Sequence, residues 1–405
     1  MLTSLALIFL CGLLLGSIFK KLRLPSLIGM LIVGIVLGPY VLNLLDDSIL
    51  SISADLRELA LIIILTRAGL SLDLNDLKKI GRPAMLMSFL PATFEMVGTV
   101  LLAQKLFSLP LLDAAVLAAV ISSASPAVIV PSMLKLMNKG YGTNKSIPQL
   151  VLAGASVDDV FNIVVFTSFL SLAEKKMNSS QLTTNTATIS PFRFLEVPVS
   201  ILLGILVGVL MGILLSQLFK QVHMRDSVKV IILLSSAFLL VALEDIAKGV
   251  IPFSGLLAVM ASGIILLKNI PAKAERISSK FSKLWVGAEI MLFVLVGASV
   301  NIHYATSAGL KAITMLLVIL LFRMAGVFCC LIKTSLNWKE RLFCALANLP
   351  KATVQAAIGA IPLSIGMASG ETILAVAVFS ILFTAPLGAL VIDSTYKKLL
   401  TKTES

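Results

Sequence analysis

Apolar residues run along this chain in long blocks, separated by short polar and basic clusters. Windows of about 19 apolar residues mark helices that cross a bilayer. They predict thirteen spans: 3–18, 25–44, 53–72, 83–107, 111–137, 149–173, 194–219, 228–246, 252–267, 284–302, 310–333, 340–363 and 371–393. The ninth is short and starts at Pro252. The loop Ala173–Pro191, rich in Ser, Thr and Asn, is the one long connector and a boundary between halves. Blocks of this length read as an all-α integral membrane protein.

Composition agrees with that reading. Of 405 residues, 58% are hydrophobic and 13% charged, against about 25% charged in soluble domains. The start, Met1-Leu2-Thr3-Ser4-Leu5, has no basic segment and no small-residue cleavage site, so it reads as a first span and not a signal peptide. Cys11, Cys329, Cys330 and Cys344 all fall in apolar runs without metal-ligand spacing, and no disulfide is expected.

The net charge of +12 would fit a nucleic-acid binder, but the basic residues alternate with the spans. One set of loops holds 23 Lys and Arg, from Lys20, Lys21 and Arg23 through Lys78, Lys79 and Arg82 to Lys397, Lys398 and Lys402; the other set holds 6, among them Lys105, Lys175 and Lys248. That is a topology signal, so no nucleic-acid partner is expected. It places the N-terminus outside and the C-terminus in the cytoplasm. With span 7 as a linker, two six-span halves then have opposite orientation. Inverted repeats of this kind build many secondary transporters, with the site at the midplane where the halves meet.

The chemistry concentrates in Gly154-Ala155-Ser156-Val157-Asp158-Asp159-Val160-Phe161-Asn162. A charged Asp near the bilayer centre costs at least about 2.5–3.5 kcal/mol. Two adjacent ones repel each other as well, so protons or a metal cation must visit the pair. Spans 5 and 12 are interrupted at mid-membrane, by Ser122-Ser123-Ala124-Ser125-Pro126 through Pro131 and by Asn348-Leu349-Pro350-Lys351-Ala352-Thr353-Val354-Gln355. Each interruption carries a proline that removes a backbone donor and frees a carbonyl. Pro126 alone reads equally as a kink, but unwound helices at matching places in two halves point to a transport site. Glu95 in span 4 and Arg323 in span 11 are the one full charge near the middle of each span. An unpaired buried charge is very costly, so the two are natural partners. They read as a strut bracing the core, with competition by Arg323 for the aspartates as the alternative. Arg67 can snorkel, Asp73 and Asp76 lie at the membrane edge, and neither His223 nor His303 looks like a metal site.

Several of these stretches resemble the two-aspartate cation/proton antiporters, the superfamily of the bacterial NhaA and NapA types. The match is nearest the branch with animal mitochondrial-type sodium/hydrogen antiporters. The resemblance rests on Ser125-Pro126-Ala127-Val128-Ile129-Val130-Pro131-Ser132-Met133, Gly154–Asp159, Leu295-Val296-Gly297-Ala298, Arg323 and Leu349–Ala357, and covers nearly the whole chain. It implies an NhaA-like fold with crossed broken helices, and a homodimer with a mobile core. The domains would be 1–82 (dimer-domain helices 1–3), 83–173 (core helices 4–6), 174–227 (linker helix 7), 228–309 (dimer-domain helices 8–10) and 310–405 (core helices 11–13 with a short tail).

By resemblance, Asp159 is the essential ion- and proton-binding carboxylate and Asp158 its partner. Arg323 takes the family's basic position, with Glu95 as its acidic partner. Pro126 and Lys351 lie in the crossed helices. Two aspartates usually accompany electrogenic exchange and an arginine electroneutral exchange, so the stoichiometry is left open. Arginine cannot supply a transported proton as a lysine can.

The mechanism expected is exchange of Na⁺ or Li⁺, with K⁺ as a further substrate, against H⁺ in a plasma or inner membrane, with lipid around it and no cofactor. Asp158, Asp159, the hydroxyl of Ser125 or Ser156 and freed carbonyls would supply the oxygen ligands a hard cation takes. Rival readings are a related organic-anion symporter, separated by anion dependence of flux, and a channel, separated by slow saturating flux. An intramembrane aspartyl protease needs carboxylates facing each other, which successive helix residues do not do.

Overall fold

The computed structural model describes residues 1–22, 24–71, 81–181, 193–247 and 253–402. Arg23, Asp73, Asp76, Lys78, Lys79, Lys248, Pro252 and most of the expected polar loop lie outside them.

The described residues are helical nearly throughout. In order come α1 (Leu2–Lys21), α2 (Ser26–Leu37), α3 (Asp47–Ser51), α4 (Ser53–Ser71), α5 (Arg82–Met87), α6 (Leu90–Phe107), α7 (Leu111–Ile121), α8 (Pro126–Asn138) and α9 (Ile147–Gln181). They are followed by α10 (Arg193–Gln221), α11 (Asp226–Ala247), α12 (Gly255–Asn269), α13 (Pro271–Ala298), α14 (Ile302–Cys330), α15 (Trp338–Ala347), α16 (Thr353–Ile358), α17 (Ile361–Ser364) and α18 (Gly370–Leu399). Among the described residues, nine helical stretches are long and apolar enough to cross a membrane; α2, α12 and α16–α17 are apolar but shorter.

Several ends differ from the pattern reading; α2 stops at Leu37, short of the expected 44. α9 continues past Ala173 to Gln181, into what reads as loop. α14 begins at Ile302. α13 begins at Pro271, thirteen residues before its apolar window at 284. Lys273, Arg276, Lys280 and Lys283 dilute that window, yet Ala274, Ile277, Phe281, Trp285 and Ala288 are buried along one helical stripe.

Two compact units divide the chain. The first comprises Met1–Ala54, Asn75–Ala173 and Ile290–Ser405; the second, Asp55–Leu74 and Glu174–Glu289. In the first, α6 packs along α14. A Cβ on Gly98 would stand 2.8 Å from the Phe322 ring, and one on Gly326 2.7 Å from the Pro91 Cα. Small residues let two helix backbones approach in lipid. Each of these glycines follows its helix's charge, Glu95 or Arg323, by three residues, so the approach sits one turn from the charges it brings together.

At one end of the first unit, the segment after α18 closes on the turn between α8 and α9. Gly142 donates its N–H to the Thr401 carbonyl at 2.9 Å, and Tyr141 forms an isolated antiparallel bridge with Lys402. Lys135 and Asp393 pair above it at 2.9 Å.

In the second unit, α10 lies along α12 through Gly204, Gly208 and Gly212. A Cβ on Gly204 would stand 2.7 Å from the Ser254 carbonyl oxygen, and one on Gly212 2.7 Å from the Ile265 Cβ. On Gly208 it would collide with the Ala258 carbonyl oxygen.

Candidate functional site

Both predicted interruptions are real breaks. α7 stops at Ile121 and α8 starts at Pro126; α15 stops at Ala347 and α16 starts at Thr353. Pro126 therefore begins a helix, where its missing N–H costs nothing. Pro131 sits inside α8, and Pro350 lies in the second gap, its ring packed on Gly388. Residues 121–125 and 347–358 are all buried. Irregular backbone is tolerated at membrane depth only where protein or water covers it and satisfies its polar groups.

Several of the freed groups find partners across and around the two breaks. The Ser125 N–H donates from one break to the other, to the Pro350 carbonyl at 2.8 Å. The Ser125 hydroxyl bonds that of Thr353 at 3.2 Å and accepts the Thr353 N–H at 3.3 Å. Lys351 donates its N–H to the Thr384 hydroxyl at 2.9 Å. Gln355 Nε2 donates to the Ser123 carbonyl at 3.0 Å, and the Ala124 N–H to Asp158 Oδ2 at 2.8 Å.

Arg323 is fully buried and takes the carbonyls left at the ends of both broken helices. Its Nη1 donates to the Ser122 carbonyl and its Nε to the Asn348 carbonyl, each at 2.6 Å. The same guanidinium reaches Glu95 Oε2 at 2.9 Å through Nη1 and Asp158 Oδ2 at 2.6 Å through Nη2. A planar fork with five donors does this; a lysine could not. Glu95 is bound on its other oxygen by Lys351, whose Nζ stands 2.6 Å from Oε1. Arg323 thus pairs with Glu95 and with Asp158 at once.

The two aspartates differ sharply. Asp158 is buried and holds Arg323, the Ala124 N–H and, at 3.3 Å, Asn162 Nδ2. Asp159 is half-buried and accepts a hydrogen bond from the Ser123 hydroxyl. It forms no ion pair among the described residues.

Of the expected hydroxyls, Ser125 is engaged with Thr353, and Ser156 lies in α9 with its side chain outside the described part. Ser123, Asn162 and Gln355 sit in the quoted motifs without having been singled out. An unwound segment has no period, so nothing distinguishes Ser123 from Ser122 or Ser125 by pattern. All of these residues belong to the first unit.

A helical membrane bundle whose two broken helices meet beside two carboxylates and two buried bases is built to move ions, and its class is the cation/proton antiporters. The chain matches the transmembrane sodium/hydrogen exchanger family over residues 5–398 and belongs to that family. It is 31% identical over 421 residues to the human protein named sodium/hydrogen exchanger 9B2, covering 98% of this chain and 75% of that one. To the Xenopus tropicalis protein of that name it is 32% identical over 409 residues, with coverage of 96% and 73%. The solved structure of the sodium proton antiporter MjNhaP1 from Methanocaldococcus jannaschii at pH 8 shares the fold, with a TM-score of 0.83 at 21% identity and 98% coverage of each chain.

Proposed function

We propose that this antiporter exchanges Na⁺ or Li⁺, with K⁺ as a further substrate, for protons at Asp159, by alternating access. The observation that carries the reading is the contrast between the carboxylates. Asp158 is bound by a guanidinium and a backbone N–H, whereas Asp159 has the Ser123 hydroxyl. A cation binds Asp159 only when it is ionised, and a proton neutralises the same oxygens, so one displaces the other. Either neutralises a carboxylate that is otherwise expensive in hydrocarbon.

Charge counting extends this. Glu95 and Asp158 are balanced by Arg323 and Lys351 in one connected network. Asp159 is left as the single exchanging charge, which favours one cation per proton and no net current. Asp158 then acts as the anchor that keeps Asp159 in register with the crossing, through the Ala124 N–H next to Ser123. Ser156 remains a further ligand in this reading, and Pro126, Pro131 and Pro350 hold the crossing open.

The wider architecture belongs to the same reading. Thirteen spans form two inverted six-span repeats around linker helix 7. Helices within 83–173 and 310–405 are the moving core, and those within 1–82 and 228–309 hold a homodimer in the plasma or inner membrane. The N-terminus is outside, as the Lys and Arg distribution favours, and a rocking core turns the site from side to side.

The test is proton movement driven by a Na⁺, Li⁺ or K⁺ gradient in proteoliposomes, with the voltage clamped and free. Asp159→Asn should abolish exchange while the protein inserts and melts as the parent does. Normal transport by Asp159→Asn rejects the assignment, and a steady exchange current rejects one-for-one coupling.

A further inference from the structure

Among the residues linked to the aspartates by one hydrogen-bonded neighbour or directly, three buried side-chain oxygens have no hydrogen-bond donor among the described residues: Ser122 Oγ, Asn162 Oδ1 and Gln355 Oε1. Gln355 stands out, because it comes from the second broken helix and is fully buried. The way its amide faces is fixed by its partner. The Ser123 carbonyl can only accept, so the –NH₂ must meet it, and Oε1 points elsewhere. A carbonyl-type oxygen buried without a donor is costly unless something positive meets it. Ser123 also ties Gln355 to the carboxylates, since its carbonyl takes the amide and its hydroxyl donates to Asp159. One residue therefore holds Asp159 on one side and the Gln355 amide on the other.

We propose that Gln355 is a ligand of the transported cation, its amide oxygen joining the Asp159 carboxylate around the ion and setting which monovalent ion fits. This rests on the reading that Asp159 holds the cation. Hard cations take neutral carbonyl oxygens alongside carboxylates. An amide oxygen does not compete for the exchanged proton, so Gln355 acts on the cation half of the cycle alone. It would bring a ligand from the second broken helix to the ion beside Asp159 of α9, so the site is complete only while that helix stays in place.

Two variants test this. Gln355→Met keeps the length and removes the oxygen. Gln355→Asn keeps the amide but, one methylene shorter, cannot both bond Ser123 and reach the ion. The readouts are the half-saturating Na⁺ and Li⁺ concentrations for exchange in proteoliposomes, the pH profile at saturating Na⁺, and Na⁺-dependent thermal stabilisation of the purified protein. Loss of one interaction of this kind should raise the half-saturating Na⁺ by about tenfold. The pH profile at saturating Na⁺ should stay as in the parent, and the same rise in melting temperature should need about tenfold more Na⁺. In Gln355→Asn, Li⁺ should lose more than Na⁺, because the smaller ion cannot bridge the longer gap.

Unchanged half-saturation for both ions in the folded variants overturns the proposal, as does failure of both variants to fold, which makes Gln355 a packing residue. If Gln355→Met alone fails to fold, Gln355→Asn decides by the same criterion. Asp159→Asn run alongside separates the two readings. If it still transports, the Asp159 assignment falls. If it is dead while the Gln355 variants keep their cation affinity, only the Gln355 assignment falls.

Discussion

The place where the α7–α8 break meets the α15–α16 break, the proposed crossing, and the seam of α10 along α12 are both closely packed, and they are held by opposite means. At the crossing, helices are broken, and Arg323 makes four polar contacts, two of them to carbonyls the breaks expose. Along the seam the helices are continuous, and Gly204, Gly208 and Gly212 bring α10 against the backbone or Cβ atoms of α12. Small-residue packing of this kind holds helices together in lipid without any charge. It yields a rigid contact and nothing that can bind an ion. The crossing is the expensive solution, because every freed group needs a named partner, and its return is a set of oxygens at membrane depth. Function concentrates where the packing is costly.

The sharpest way to break the comparison is to remove the partner on which the crossing depends. Arg323→Met strips Asp158 of its cation and two helix ends of their donors. Removing one side of a buried ion pair costs about 3–5 kcal/mol, so the purified protein should melt far lower than the parent. Adding Asp158→Asn to Arg323→Met should recover part of that loss, since the stranded charge goes with it. Unchanged melting of Arg323→Met with lost exchange would place Arg323 in the transport step itself and dissolve the contrast drawn here.

The seam should respond differently. In Gly208→Val the new side chain meets the Ala258 carbonyl oxygen, which is helix backbone and cannot swing aside. Overpacking costs about 1–3 kcal/mol, so a moderate loss of thermal stability is expected. Exchange per folded molecule should persist, because no oxygen of the Asp159 site has changed. Loss of exchange in a Gly208→Val protein that melts like the parent would show that the seam carries more than packing.

These outcomes bear on how much the chain's pattern discloses. The aspartate pair and the two breaks are legible because each is an exception inside a long apolar run. Glu95 and Arg323 are legible as partners because each is alone among apolar neighbours. What Arg323 does besides is not legible: its bonds to the Ser122 and Asn348 carbonyls exist only because two helices stop at those residues. Nor can spacing pair Lys351 with Glu95 across most of the chain. The early start of α13 is a different failure. A hydropathy average hides it, while the buried stripe Ala274, Ile277, Phe281, Trp285, Ala288 carries the 3.6-residue period that would have found it.

The smallest effect sharpens the comparison from outside the membrane core. Lys135 on α8 and Asp393 on α18 pair at 2.9 Å, with side chains 43% and 45% exposed. This joins the second half of a broken helix to a continuous one, as Arg323 does at depth, but in a solvated setting. Exposed pairs contribute about 0.2–1 kcal/mol, and salt screens them. A double-mutant cycle of Lys135→Ala and Asp393→Ala should therefore give a coupling in that range by thermal melting, fading at high salt. The neighbouring bridge of Tyr141 with Lys402 and the Gly142 N–H bond to Thr401 hold the same two elements without it, so exchange should be unaltered. A coupling several times larger would mean that α8 and α18 are held here by charge as tightly as at the crossing, and burial would then not be what separates the two kinds of contact.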